Sequence, residues 1–243
     1  YCYILSNSMK SSIIPFIAGI KHRISYLGEF RYGLVNKIIK KIDRKEGMAN
    51  RYLNLINHTY KSEFRPNLTP KIVHNSILDK FNLNKKYIVL CPDSEYGPAK
   101  KWPIKKWIDL ANSVQKTYQV VFVGLDSSIT SAASKIGSNN CINLIGKTSL
   151  NDAIIILSQS TCVVSNDSGL MHVAAALDRP VVGIYGSTSP DYTPPLIEND
   201  KKIIIYQNLS CSPCFKRTCP LQHTNCLNNI SVDFVKESIS GLV

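Results

Sequence analysis

The residues best placed to do chemistry lie at 163–177, where an apolar run gives way to Asn166, Asp167, Ser168 and Gly169 and then to Leu170, Met171 and His172. The run 161–164 reads as a buried strand. Leu170, Val173, Ala174 and Leu177 recur at helical spacing, so the polar turn 165–169 joins that strand to a helix. Asp167 and Ser168 fall at the N-cap, and Gly169 lets a ligand approach the first free N–H groups. Those groups and the helix dipole favour an anion. His172 follows about one turn in, near the same mouth. An ordinary capped helix with a satisfied histidine has the same local pattern, so the rest of the chain must decide between the two.

A second candidate is the loop 91–103, which carries Asp93, Ser94, Lys100, Lys101 and Trp102. Two lysines just before a helix add charge-assisted donors to its free N–H groups, which suits phosphate, and Trp102 would pack and fix the loop. Taken alone, such a pair is usually a solvated surface feature. Neither G-x-x-x-x-G-K-[ST] nor G-x-G-x-x-G occurs, so P-loop and dinucleotide readings have little support. A third constellation is Cys211, Cys214, Cys219 and Cys226 with His223 among them, whose spacing is metal-like only at its start. A structural zinc site, a loop tightened by reversible disulfides and simply packed thiols all remain open. Cys2, Cys91, Cys141 and Cys162 lie in apolar runs and read as inert core thiols.

The elements that must position these residues follow a regular pattern from 87 onward. Strands are expected at 87–91, 119–124, 141–144, 161–165, 181–186 and 202–206. Helices alternate with them at 103–118, 127–137, 149–158 and 168–177, and a last helix at 232–241 is capped by Ser231. Ser149 and Asp152 have capping-box spacing. Such alternation predicts a doubly wound parallel sheet, in which ligands bind beyond the carboxyl ends of the strands. Both candidate loops lie there, as does the proline loop 187–195. Before this region the pattern is short. It comprises a strand at 1–5, a helix at 8–18 interrupted at Pro15, a strand at 20–24, a glycine-bounded loop at 28–33, a helix at 48–60 and a linker at 61–75 with Pro66 and Pro70. This part reads as the second half of an α/β domain, giving domains 1–82 and 83–243.

The 44% apolar fraction is ordinary for a globular protein. No apolar run is long enough for a bilayer, and the first residues carry neither a basic n-region nor a cleavage site, so a cytosolic protein is expected. Of the net charge of +12, residues 1–86 hold +11, with 16 Lys and Arg against 5 Asp and Glu. A field confined to one half argues for a large anionic partner there. A lysine-rich genome would raise the count of lysines but not place them so unevenly. Nucleic acid is not the expected partner, because no aromatic stacking pattern or nucleic-acid module is present.

Taken together, these motifs place the chain near a known family. Asn7-Ser8-Met9-Lys10-Ser11, the loop 28–34 with Glu29, Arg31 and Tyr32, Gly97-Pro98-Ala99-Lys100-Lys101-Trp102-Pro103, the stretch 166–177 and the proline loop 185–195 occur in one colinear order. In these the chain resembles the ADP-heptose:lipopolysaccharide heptosyltransferases, two-domain GT-B glycosyltransferases of family 9, and among them the type II enzymes most. The resemblance implies two Rossmann-like doubly wound domains, the first incomplete here, with an ADP-heptose-binding domain at 83–243. It implies a donor site made by Asp93, Ser94, Lys100, Asp126, Asp167, Ser168, Gly169 and His172, with Asp126 on the ribose. Lys10 and Arg23 fall on the acceptor side, where basic groups meet the phosphates and acid sugars of the lipopolysaccharide inner core. Family members carry a general-base aspartate in the opening strand and loop of the first domain. That stretch is not in this chain, so the base is expected outside it, and neither Glu29 nor Asp167 takes the role.

The implied reaction is an inverting transfer of heptose from ADP-heptose to heptosyl-Kdo2-lipid A, with no required cofactor, at the cytoplasmic face of the inner membrane. A type I or type III enzyme would differ only in acceptor. A remnant that binds ADP or an anionic glycolipid without catalysis is the alternative from another class.

Overall fold

The computed structural model describes residues 1–39, 47–56, 75–83, 86–126, 130–133, 136 and 140–243. The chain divides into two compact units, Tyr1–Phe64 with Asp191–Thr193, and Arg65–Pro190 with Pro194–Val243.

In the first unit the elements are β1 (Cys2–Tyr3), α1 (Met9–Ile17), β2 (Arg23–Tyr26), β3 (Lys37–Ile39) and α2 (Met48–Ile56). The three strands form a parallel sheet in chain order. Ser8 caps α1, its side chain accepting from Ser11 N–H. The expected interruption at Pro15 does not occur. The helix runs through it, because a proline removes only one bond of the ladder and this ring is buried, while Ala18 N–H still reaches Ile14 O at 2.9 Å. Most of the expected linker at 61–75 and the end of the helix expected at 48–60 lie outside the described residues.

The second unit contains α3 (Asn75–Lys80), β4 (Tyr87–Cys91), α4 (Ile104–Val114), β5 (Gln119–Phe122), α5 (Thr130–Ala133), β6 (Cys141–Asn143), α6 (Leu150–Ser158), β7 (Cys162–Asn166), α7 (Gly169–Ala176), β8 (Val181–Tyr185), β9 (Lys202–Tyr206), α8 (Asn225–Asn228) and α9 (Val232–Ser240). Its six strands are all parallel in the order β6-β5-β4-β7-β8-β9. Alternate residues of each central strand feed two different cores. Ile88, Leu90, Val164, Val182 and Ile184 pack with Trp107 and Leu110 of α4 and with Val235 and Ile239 of α9. Tyr87, Val89, Cys91, Val163 and Val181 pack with Ile156 and Leu157 of α6 and with Met171 and Ala174 of α7. Strands covered on both faces read as unbroken apolar runs, which is why they stand out in the sequence.

Two boundaries move. Ile77, Leu78 and Phe81 pack against the core that contains α6, so α3 belongs with the second unit rather than with a first domain ending at 82. Of the helix expected at 127–137, 130–133 form α5 and Ile136 is not helical, while 127–129, 134, 135 and 137 lie outside the described residues. The capping box is present: Ser149 Oγ accepts from Asp152 N–H at 3.1 Å and Asp152 Oδ2 from Ser149 N–H at 3.0 Å. Hydrogen bonds to the charged form, from Ser149 N–H first and then from the Ser149 side chain, hold the Asp152 carboxyl below its ordinary range. Among the described residues no helix is long and apolar enough to cross a membrane.

Candidate functional site

β4 sits between β5 and β7, so the chain leaves it in one direction and returns on its other side. Beyond the carboxyl ends of β4 and β7 lies the switch point of the sheet, where open α/β sheets bind ligands. The loop 92–103 leaves β4 there, and the turn 166–169 leaves β7 beside it. Asn166, fully buried, ties the two together: its Nδ2 donates to Pro92 O at 2.5 Å and its Oδ1 accepts from Trp102 N–H at 3.1 Å. Trp102 is anchored from behind by Nε1 donating to Ile230 O at 3.2 Å and by an edge-on contact with Trp107.

On this frame Lys100 Nζ lies 2.5 Å from Asp167 Oδ2, joining two loops that are 67 residues apart in the chain. The lysine is 12% exposed and the aspartate 3%. Thr188 Oγ1 donates to the same carboxylate oxygen at 2.6 Å. Asp167 is therefore not the helix cap that its place in the sequence suggests. It is the anchor that aims the ammonium, and two more ammonium donors remain for an anion. Ser168 occupies the N-cap of α7 but its side chain makes no capping bond; its Oγ lies 3.1 Å from Ser165 Oγ instead. The first-turn N–H groups of α7, which have no partner within the helix, are left for a ligand. A Cβ built on Gly169 would meet nothing within 4 Å among the described residues, so there is room for one.

His172 Nε2 stands 3.9 Å from Asp167 Oδ1, beyond hydrogen-bond range, with the side chain 41% exposed. Burial lowers its pKa, Asp167 opposes that shift and Lys100 adds to it, leaving the imidazole neutral near pH 7. The unfolded chain binds this proton more readily than the folded one. The neutral imidazole thus favours the fold above the ordinary histidine pKa, and that contribution is lost as the pH falls through the folded value. An NMR titration is expected to give a His172 midpoint below 6.5, rising when an anion binds beside it; a free-protein midpoint above 6.5 would contradict the geometry.

The remaining expected donor residues take other positions. Asp93 Oδ2 accepts from the N–H groups of Leu125 and of Asp126, the latter at 2.8 Å, and so closes the turn after β5. Gly124 permits this approach, since a Cβ there would collide with the Asp93 carboxylate. Asp93 Oδ1 is buried without a partner among the described residues. Asp126, expected on a ribose, is ion-paired with Lys101. Ser94 is buried in the loop.

In the first unit, Lys10 is exposed on the first turn of α1. Arg23 is fixed to its own unit: its guanidinium donates to Leu34 O and Ile20 O, both at 2.6 Å, and to Gly33 O at 3.1 Å. It buttresses the loop that holds Arg31. Arg31 is fully buried and donates to Ser6 O at 2.7 Å, Tyr26 O at 2.6 Å, Ser25 Oγ at 2.9 Å and Ser12 Oγ at 3.0 Å. Glu29 Oε2 accepts from Met9 N–H at 3.0 Å, which makes it a cap for α1.

Cys211, Cys214, Cys219 and Cys226 gather with His223 around one small cavity of about 20 Å³. All are free thiols, and among the described residues no three ligand-type side chains stand as a donor set for an ion. Of the three readings left open, a zinc site finds the thiols brought together but no assembled ligand set among the described residues. Cys91 and Cys162 are fully buried as expected, the Cys162 thiol pushed up to about 12 by burial, whereas Cys2 and Cys141 are only partly covered. Sequence reasoning misses Asn166 and Thr188 as working parts of the site, and it misses Tyr96, whose ring centroid is 4.8 Å from Lys100 Nζ. Only their place in loops already singled out pointed to them.

Comparison with known proteins agrees with this architecture. Residues 1–225 match the model of glycosyltransferase family 9 (heptosyltransferase). The chain is 39% identical over 215 residues to lipopolysaccharide heptosyltransferase 2 of Escherichia coli (strain K12), covering 80% of this chain and 62% of that protein. It is 38% identical over 223 residues to lipooligosaccharide heptosyltransferase 2 of Haemophilus influenzae, covering 83% and 64%. The chain therefore spans just under two thirds of the length of these curated relatives. The solved E. coli ADP-heptose lipopolysaccharide heptosyltransferase II superposes with a TM-score of 0.80 at 33% identity, over 99% of this chain and 75% of that one. E. coli heptosyltransferase WaaC, solved with ADP, superposes at 0.68 with 18% identity over 99% of this chain and 72% of that one, and shares the fold. With parallel α/β sheets of this family's GT-B type and a family match over most of its length, the chain belongs to glycosyltransferase family 9, the heptosyltransferases.

Proposed function

We propose that the second unit binds ADP-heptose, with the diphosphate between Lys100 and the first-turn N–H groups of α7. The observation that carries this is the Lys100–Asp167 contact at the switch point of the sheet. The whole protein then transfers L-glycero-D-manno-heptose to the heptosyl-Kdo2-lipid A inner core by inverting displacement at the anomeric carbon. As the bond to the sugar breaks, negative charge grows on the departing ADP. Lys100, held in place by Asp167, and the amides beyond Ser168 meet that charge where it develops. The proton of the acceptor hydroxyl goes to an aspartate outside these 243 residues. Asp93, through the Oδ1 that has no partner among the described residues, and Ser94 line the loop that approaches the nucleoside, and His172 contributes a neutral donor at the heptose end.

The acceptor is anionic and meets the first unit, where Lys10 is exposed and 11 Lys and Arg stand against 5 Asp and Glu, half of the chain's net charge of +12. That charge also suits a peripheral position on the anionic cytoplasmic leaflet of the inner membrane. Calorimetry with ADP and a transfer assay with ADP-heptose and heptosyl-Kdo2-lipid A test both halves of the reading. This chain is expected to bind ADP and to transfer no heptose. Absence of ADP binding removes the donor site, and measurable turnover removes the external base.

A further inference from the structure

The site described above is short of positive charge. Lys100 is paired with Asp167, and Lys101 with Asp126. Two ion pairs leave little net charge to set against a diphosphate, even with the amides of α7 added. The cysteine loop supplies what is lacking. Arg217 Cζ lies 5.4 Å from the centroid of the Tyr96 ring, the same ring that has Lys100 Nζ at 4.8 Å. The two cations are therefore no farther apart than those distances together allow.

The main chain of this loop is built into the wall of the site. Arg217 O accepts from Ala99 N–H at 3.1 Å, Phe215 N–H donates to Ser187 O at 2.7 Å, and Tyr96 Oη donates to Phe215 O at 2.6 Å. Gly97, at φ +145°, makes the closest approach possible: a Cβ on it would stand 2.5 Å from Arg217 O. The loop is thus held on the residues flanking Lys100. The Arg217 side chain is exposed, and its guanidinium has no carboxylate partner among the described residues. A cation resting on a partly exposed ring is weakly held, so a phosphate can draw the guanidinium off Tyr96 at small cost. Its planar fork matches phosphate oxygens two at a time.

We propose that Arg217 is a second phosphate-binding cation of the donor site, delivered by the cysteine loop and held ready on Tyr96. This rests on the donor reading above, and the test separates the two. Affinities of the full chain for ADP and AMP are measured by calorimetry for the unmodified protein, Arg217→Ala, Arg217→Lys and, as a neighbouring exposed control, Lys216→Ala. Arg217→Ala is expected to weaken ADP about tenfold, with a smaller loss for AMP. Arg217→Lys should recover part of it, and Lys216→Ala should match the unmodified protein. Equal loss for ADP and AMP would mark a structural role and overturn the proposal, as would unchanged ADP affinity in Arg217→Ala when the unmodified chain binds. Failure of the unmodified chain to bind ADP would instead overturn the donor site itself.

Discussion

Lys100→Ala is expected to weaken ADP binding by roughly 100-fold, read as the dissociation constant in calorimetry. A hydrogen bond to a charged partner contributes about 1.5–3 kcal/mol, and each 1.4 kcal/mol is tenfold in affinity. The upper part of that range is expected because removing the ammonium does more than delete a donor. Asp167, 3% exposed, would keep its charge with Thr188 as its remaining close donor, and would face the diphosphate uncompensated. The pair therefore predicts a particular non-additivity. Asp167→Asn added to Lys100→Ala removes the repulsion and should recover part of the lost affinity, whereas Asp167→Asn alone loses the anchor of a working lysine. Unchanged ADP affinity in Lys100→Ala would move the nucleotide elsewhere. A double variant that binds no better than Lys100→Ala would show that Asp167 does not face the ligand.

What the sequence reveals, and what it hides, divides along a physical line. Residues 87–91 and 162–164 are readable as strand because each stretch is covered on both faces and so is apolar throughout. The turn after Asn166 is readable because a change of period from strand to helix is a local property. The capping box at Ser149 is local too, and it forms as expected. The partners of Asp167 are not local. Its position before a helix predicts a cap, and only the parallel pairing of β4 with β7 brings Lys100 close enough to take the carboxylate instead. Arg23 and Arg31 show the same limit from the other side. Both look like surface cations in a basic segment, yet one is occupied by main-chain carbonyls and the other is completely enclosed. The cysteines lie between these cases: their spacing announces a cluster, and the structure gathers it without a ligand set among the described residues. Charge balance at the site, which depends on who is paired with whom, could not be read in advance at all.

The same division locates the most fragile residue of the second unit. Asn166→Ala is expected to lower the thermal midpoint by about 5–15 °C, a larger structural effect than any substitution among the residues that face the ligand. Its side chain satisfies Pro92 O and Trp102 N–H, and all of the side chain is buried. Alanine leaves both main-chain groups without their partner, and an unsatisfied buried donor or acceptor costs about 1–3 kcal/mol. For a unit of this size each kcal/mol shifts the midpoint by roughly 2–4 °C. Asn166→Asp separates hydrogen bonding from packing. It keeps the shape and the acceptor for Trp102 N–H, but sets a carboxylate against Pro92 O with no donor to offer, so it should destabilise at least as much as alanine. Calorimetric scans with and without ADP then connect the clamp to the site. Because Asn166 holds the ends of β4 and β7 together, both variants should bind ADP more weakly at temperatures where they are still folded, and so gain less midpoint from saturating ADP than the unmodified chain does. A variant as stable as the unmodified protein would show that the two loops are held by something other than this amide. One that is unstable yet binds ADP normally would show that the clamp supports the fold without shaping the site.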